Sequence, residues 1–121
     1  MPTWPAVLVF GTTVMIGGYL GWQFLLGEKR KQMLVAIHLL LGVAGLEVVA
    51  LMLHGAPDGS VTDGAWLGKA AGLVLAGALL SGFMVPLIAR PKPSTAVWMI
   101  GLHASIGTAG FLALMLWIMR M

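Results

Sequence analysis

The sequence predicts an all-α fold, an integral membrane four-helix bundle, from three observations. Of its 121 residues, 60% are hydrophobic and 9% are charged, whereas soluble proteins contain about 25% charged residues. The mean hydropathy is +0.98. Four apolar stretches each reach the roughly 20 residues that a helix needs to cross a bilayer.

Short polar connections separate the four predicted helices. The helices cover residues 5–27, 33–54, 65–89 and 96–119. The first connection, Glu28 to Gln32, is charged, the second contains a Pro-Asp-Gly turn at 57–59, and the third, 90–95, has prolines. Short connections predict antiparallel neighbours in one bundle. Residues 1–121 are therefore expected to form a single transmembrane domain.

The basic residues predict an orientation, because Lys and Arg near helix ends stay on the cytoplasmic side. Most of them lie in the first and third connections, while the middle connection carries only Asp58 and Asp63 as charged residues. Those in the two connections are Lys29, Arg30, Lys31, Arg90 and Lys92. Both termini are therefore expected on the non-cytoplasmic side of the inner (cytoplasmic) membrane. No basic leader precedes the first apolar run, so that helix is expected to remain in the mature protein.

A motif occurs twice, at an offset of 65 residues. Segments 38–46 and 103–111 share a His, two Gly and an Ala, and the same offset aligns Gly17 with Gly82. This pattern favours two helix-hairpin repeats related by an axis along the membrane normal. Chance matching is the alternative, because the chain contains 17 Gly.

The two repeated histidines are the candidate ligands of a cofactor. His38 and His103 differ in predicted depth by only about 3 Å, and ionisable side chains in hydrocarbon are rare and often functional. Imidazoles from two facing helices can occupy both axial positions of a haem iron. Gly42 and Gly107 follow each His by one turn and are expected to leave room for a porphyrin edge. The pattern predicts one haem b bound by these four residues.

Other interpretations of the pair stay open. Stripes of Gly and Ala also let membrane helices pack closely, and a buried His can simply bond across helices. A His among small residues can also bind the magnesium of a chlorophyll-type pigment. For haem, Lys31, Arg90 and Lys92 are the candidate partners of the propionates. The absence of Cys excludes thiolate metal sites and covalent haem attachment.

Glu47 and Lys69 are the charged residues predicted deepest in the membrane. Because an unpaired charge there is costly, we expect an ion pair between neighbouring helices. The alternative is a small proton-coupled transporter with Glu47 as its carrier. His54 and Met119 correspond in the repeat, but His54 lies about 160° around the helix from His38, so it is expected at the interface instead of at the first site.

Five tryptophans near predicted helix ends are expected to be interface anchors. They are Trp4, Trp22, Trp66, Trp98 and Trp117. No pattern of a nucleophile with its base, a phosphate loop or paired catalytic carboxylates is present. The chain is thus at most an electron-transfer subunit of an oxidoreductase, with no catalytic residue and no nucleic-acid partner predicted.

With His38 on the second helix and His103 on the fourth, nearly the whole chain resembles the four-helix core of b-type transmembrane cytochromes, the ascorbate-reducible and ferric-reductase-like group. The resemblance implies electron transport through haem held by alternate helices. That group typically has a second His pair, whereas helices one and three here contain no His. One haem in one leaflet cannot span the bilayer, so a quinone or other subunits of a respiratory or photosynthetic complex are the expected partners. A purely structural subunit is the alternative.

Overall fold

A computed structural model describes residues 2–54, 65–89 and 93–121. These residues form four long helices: α1 (Trp4–Leu25), α2 (Gln32–His54), α3 (Ala65–Ala89) and α4 (Ala96–Arg120). A short 3₁₀ turn, Pro93–Thr95, leads into α4. The described part of the chain contains no strand. The prediction of an all-α four-helix fold is confirmed, and each helix is long and apolar enough to cross a membrane.

The helix ends agree with the predicted ends to within two residues, and both ends of α3 coincide with them. The largest difference is at α1, which ends at Leu25 instead of residue 27. Gly27 has a φ of +71°, and its N–H bonds to the carbonyl of Phe24 while that of Glu28 bonds to the carbonyl of Gln23. This is a Schellman motif, in which a left-handed residue closes the helix and satisfies its last carbonyls. The chain then turns through the Lys-rich segment into α2.

The helices are arranged as two hairpins around a common centre. α1 packs on α2 and α3 packs on α4, and the bundle closes through α2 with α3 and α1 with α4. Across the described residues, the backbones of α2 and α4 do not meet, nor do those of α1 and α3. The two histidine-bearing helices therefore lie on one diagonal of the bundle.

The buried core lies in the half of the bundle that is remote from the Lys29–Lys31 connection. It is formed by apolar side chains of all four helices: Phe10, Val49, Leu67, Ala71, Leu75, Leu114 and Trp117. Since lipid tails are as apolar as these side chains, close packing holds such helices together more than hydrophobic burial does. The histidines lie between this core and the charged connection.

Trp117 corrects one prediction from the sequence. Four of the tryptophans are exposed, but Trp117 is 2% exposed and belongs to the core. Its ring covers Gly68 so closely that a Cβ there would lie 2.6 Å from Cε2 of the indole. Proximity to a helix end predicted an interface anchor, whereas the space left by Gly68 draws the ring inward.

Candidate cofactor site

His38 is held by a carbonyl of the neighbouring helix. Its Nδ1 lies 3.0 Å from the backbone oxygen of Thr13 on α1. Because a carbonyl can only accept, Nδ1 must be the protonated nitrogen of the neutral ring. Nε2 then carries the free lone pair, which is the form of imidazole that binds a metal.

His103 has the corresponding arrangement in the second hairpin. Its Nδ1 lies 2.9 Å from the backbone oxygen of Ala78 on α3. Ser81 adds a hydroxyl 3.2 Å from the same nitrogen, and that hydroxyl donates to the Ala78 carbonyl at 2.8 Å. His103 is therefore fixed by two oxygens, whereas His38 has one, since Ile16 stands at the position that corresponds to Ser81.

A glycine one turn beyond each acceptor carbonyl makes room for the imidazole. A Cβ at Gly17 would lie 2.8 Å from Cε1 of His38, and one at Gly82 would lie 3.0 Å from Cε1 of His103. A real Cβ essentially never lies as close as 2.8 Å to another heavy atom, and 3.0 Å is tighter than most real contacts, so glycine at these positions lets each ring reach the helix backbone. The two glycines can be recognised in the sequence because they are separated by the repeat offset. The carbonyls that they leave accessible cannot be recognised, because a backbone carbonyl does not depend on the type of side chain.

The two rings meet at the centre of the bundle. Their centroids are 5.9 Å apart and their planes differ by 83°. Among the described residues neither Nε2 has a hydrogen-bond partner. Two imidazole nitrogens on opposite sides of one metal ion put the ring centroids roughly 6 Å apart, given metal–nitrogen bonds of about 2.0–2.1 Å. The centroid separation of the pair is thus close to that of two imidazoles bound to one metal ion.

The predicted porphyrin-edge residues lie against α3. A Cβ at Gly42 would be 3.8 Å from Cδ1 of Leu79, and one at Gly107 would be 3.8 Å from Cβ of Ala78. Both are ordinary van der Waals distances. A planar macrocycle beside Gly42 therefore requires the Leu79 side chain to move, so the site offers two imidazoles with free Nε2 atoms while the space for a macrocycle has to be opened.

Two further glycines of the repeat are filled by corresponding side chains. The ring of Phe10 lies over Gly45, and Leu75 lies over Gly110, so that an added Cβ would meet them at 2.6 Å and 2.8 Å. Phe10 and Leu75 are themselves separated by 65 residues. The same contacts thus recur in both hairpins on the core side of the histidines.

His54 lies apart from the pair. It is exposed at the end of α2, and its Nδ1 is bonded to the carbonyl of Ala50 in its own helix at 2.9 Å. Met119, its counterpart in the repeat, is 83% exposed. No group of three or more His, Cys, Asp or Glu able to hold a metal ion occurs in the described ranges. Asp58 and Asp63, the charged residues of the middle connection, lie outside those ranges.

The expected ion pair between Glu47 and Lys69 is not formed. Both residues are exposed on the outside of the bundle. Val49, which packs at 3.4 Å from the Cβ position of Gly72, marks the side of α2 that faces α3. Glu47 precedes Val49 by two residues, or about 200° around the helix axis, and so points away from α3. The sequence prediction compared depths and neglected this rotation.

One of the three candidate propionate partners lies within the described residues. Lys31 places its Nζ 6.0 Å from the centroid of the Tyr19 ring, a cation–π contact. Arg90 and Lys92 lie outside the described residues.

Comparison with known protein families, curated proteins and solved structures gives no match to the chain.

Proposed function

We propose that the chain is an integral membrane electron-transfer protein that binds one haem b between α2 and α4, with His38 and His103 as the axial ligands. The observation that supports this most directly is the paired environment of the two imidazoles. Each donates Nδ1–H to a backbone carbonyl, keeps Nε2 free, and meets the other ring at a centroid distance of 5.9 Å.

The carbonyl contacts are what a metal-binding histidine requires. Such histidines almost always donate their second ring N–H to a carbonyl or carboxylate, which fixes the tautomer and raises the basicity of the ligand nitrogen. Thr13 and Ala78 supply those carbonyls, and Gly17 and Gly82 let the rings reach them. A bound haem would supply one-electron redox chemistry at this point.

The remaining parts of the proposal concern the surroundings of the haem. Gly42 and Gly107 border the macrocycle, and outward movement of Leu79 opens its space. A single haem needs an electron donor and an acceptor, so a quinone and other membrane subunits are the proposed partners. The basic connections support an orientation in which both termini lie on the non-cytoplasmic side of the inner membrane.

The duplication belongs to the same proposal. We infer that α1–α2 and α3–α4 are two copies of one helical hairpin. Contacts that recur at the repeat offset support this inference. Each His bonds to a carbonyl and lies against a glycine of the neighbouring helix, and the contact of Phe10 with Gly45 corresponds to that of Leu75 with Gly110. Haem then binds between the two copies and takes one ligand from each.

An absorption spectrum of the purified protein tests the proposal. The full chain, produced in haem-replete cells, should show a Soret band and a low-spin six-coordinate haem at one per chain. His38→Ala and His103→Ala should each remove one axial ligand, so each variant should show an altered haem spectrum or none. His54→Ala is the matched control and should leave the spectrum unchanged.

A colourless, folded preparation would exclude the haem. Extraction of a chlorophyll-type pigment would assign the histidines to magnesium instead. If the spectrum survived both His38→Ala and His103→Ala, the ligands would have to be elsewhere.

A further inference from the structure

A second polar site lies at the opposite end of the bundle from the buried core. It is a half-open cavity of about 190 Å³ between the start of α2 and the last part of α3, and the described residues that line it are Arg30, Gln32, Val35 and Pro86. One water molecule needs only about 10–15 Å³ by this kind of measure. The cavity is therefore large enough for a chemical group and not only for solvent.

The lining divides into a polar and an apolar half. Arg30 and Gln32 precede and begin α2, and both are exposed. Val35 and Pro86 lie about one turn further into the span. A ligand that fits this lining has an anionic or hydrogen-bonding head next to an apolar tail.

The charge of Arg30 is not balanced within the described part of the chain. No carboxylate there lies within ion-pair distance of its guanidinium, and its neighbours Lys29 and Lys31 are also cationic. Lys31 is turned toward Tyr19 on α1, so Arg30 is the cation that lines the cavity among the described residues. A guanidinium forms paired hydrogen bonds with phosphate oxygens.

We propose that this cavity binds the phosphate group of an anionic phospholipid. Arg30 forms the ion pair and the Gln32 amide donates a further hydrogen bond, while Val35 and Pro86 contact the first part of an acyl chain. Basic pockets between membrane helices at the level of the headgroups bind lipids in this way. The site is independent of the histidines and of any cofactor they hold.

The experiment uses the full-length protein in micelles that contain either phosphatidylglycerol or phosphatidylcholine with the same acyl chains. Retained lipid is counted by native mass spectrometry, and the shift in thermal unfolding is measured in parallel. We expect phosphatidylglycerol to be retained in preference to phosphatidylcholine. Arg30→Ala should weaken that retention by about tenfold or more, as expected when a hydrogen bond between two charged groups is lost.

Two variants distinguish binding of the lipid in the cavity from attraction of the lipid by the general surface charge. Lys29→Ala removes a charge from the same connection without touching the cavity lining, and it should retain the lipid as the unmodified chain does. Val35→Trp fills the cavity without changing any charge, and it should lose the lipid even if Arg30→Ala cannot be purified.

Three results would overturn the proposal. Equal losses in Lys29→Ala and Arg30→Ala would indicate diffuse electrostatic attraction. Unchanged retention by Val35→Trp would place the lipid outside the cavity. The same stabilisation by inorganic phosphate alone would show that the site takes a free anion and no lipid.

Discussion

The backbone of Gly17 lies directly against the imidazole of His38, so that a Cβ at Gly17 would be 2.8 Å from Cε1. The same relation joins Gly82 and His103 in the second hairpin. Each ring is thereby held between a carbonyl, which fixes its tautomer, and a glycine, which fixes its distance from the helix. The glycines therefore set the positions of the two imidazoles.

Gly17→Ala and Gly82→Ala should displace the imidazoles. Overpacking of this kind costs about 1–3 kcal/mol, and we expect the hydrogen bond from Nδ1 to lengthen and haem affinity to fall. The ¹⁵N resonances of the ring nitrogens report on the hydrogen bond without haem, and a haem titration reports on the affinity.

Gly18→Ala is the matched control, because nothing lies within 4 Å of its Cβ position. Since Ala favours a helix over Gly by about 0.8–1.0 kcal/mol, this change should be neutral or stabilising. If Gly17→Ala behaved like Gly18→Ala, the contact with His38 would not constrain the ring.

The second prediction concerns the two exposed charges. Because Glu47 points away from α3, Glu47→Gln and Lys69→Gln should act independently on stability. A double-mutant cycle measured by unfolding in mixed micelles should give a coupling energy within about 0.5 kcal/mol of zero. A coupling well above that value would mean that the two side chains pair in the membrane.

Some of these features could be predicted from the sequence, because they follow from its composition and from the spacing of residues along a helix. Four apolar stretches predicted four helices to within two residues at each end, and equal depth predicted that His38 and His103 lie at one level. The prediction of an ion pair between Glu47 and Lys69 was wrong because depth alone does not determine which side of α2 carries Glu47. The acceptor carbonyls of Thr13 and Ala78 could not be predicted, since every helix residue has a carbonyl and only the packing of the hairpin exposes these two.

The third prediction concerns Trp117. Gly68→Ala would place a methyl group 2.6 Å from the indole, and Trp117 is almost fully buried in the core. We expect a loss of about 1–3 kcal/mol in the free energy of unfolding, together with a shift in tryptophan fluorescence as the ring is pushed outward. Gly101→Ala, with open space at its Cβ position, should change neither quantity. An unaltered fluorescence spectrum in Gly68→Ala would place the indole away from α3.

The last prediction tests the correspondence between the hairpins. Phe10 covers Gly45 as Leu75 covers Gly110, so a leucine should be accepted at position 10. Phe10→Leu keeps a large apolar side chain over Gly45 and is expected to cost clearly less than Phe10→Ala, which should cost about 3–5 kcal/mol through the cavity it leaves. Unfolding of both variants in mixed micelles gives the two values. Equal costs would mean that Phe10 has a packing role of its own and that the two hairpins do not share one packing scheme at this level.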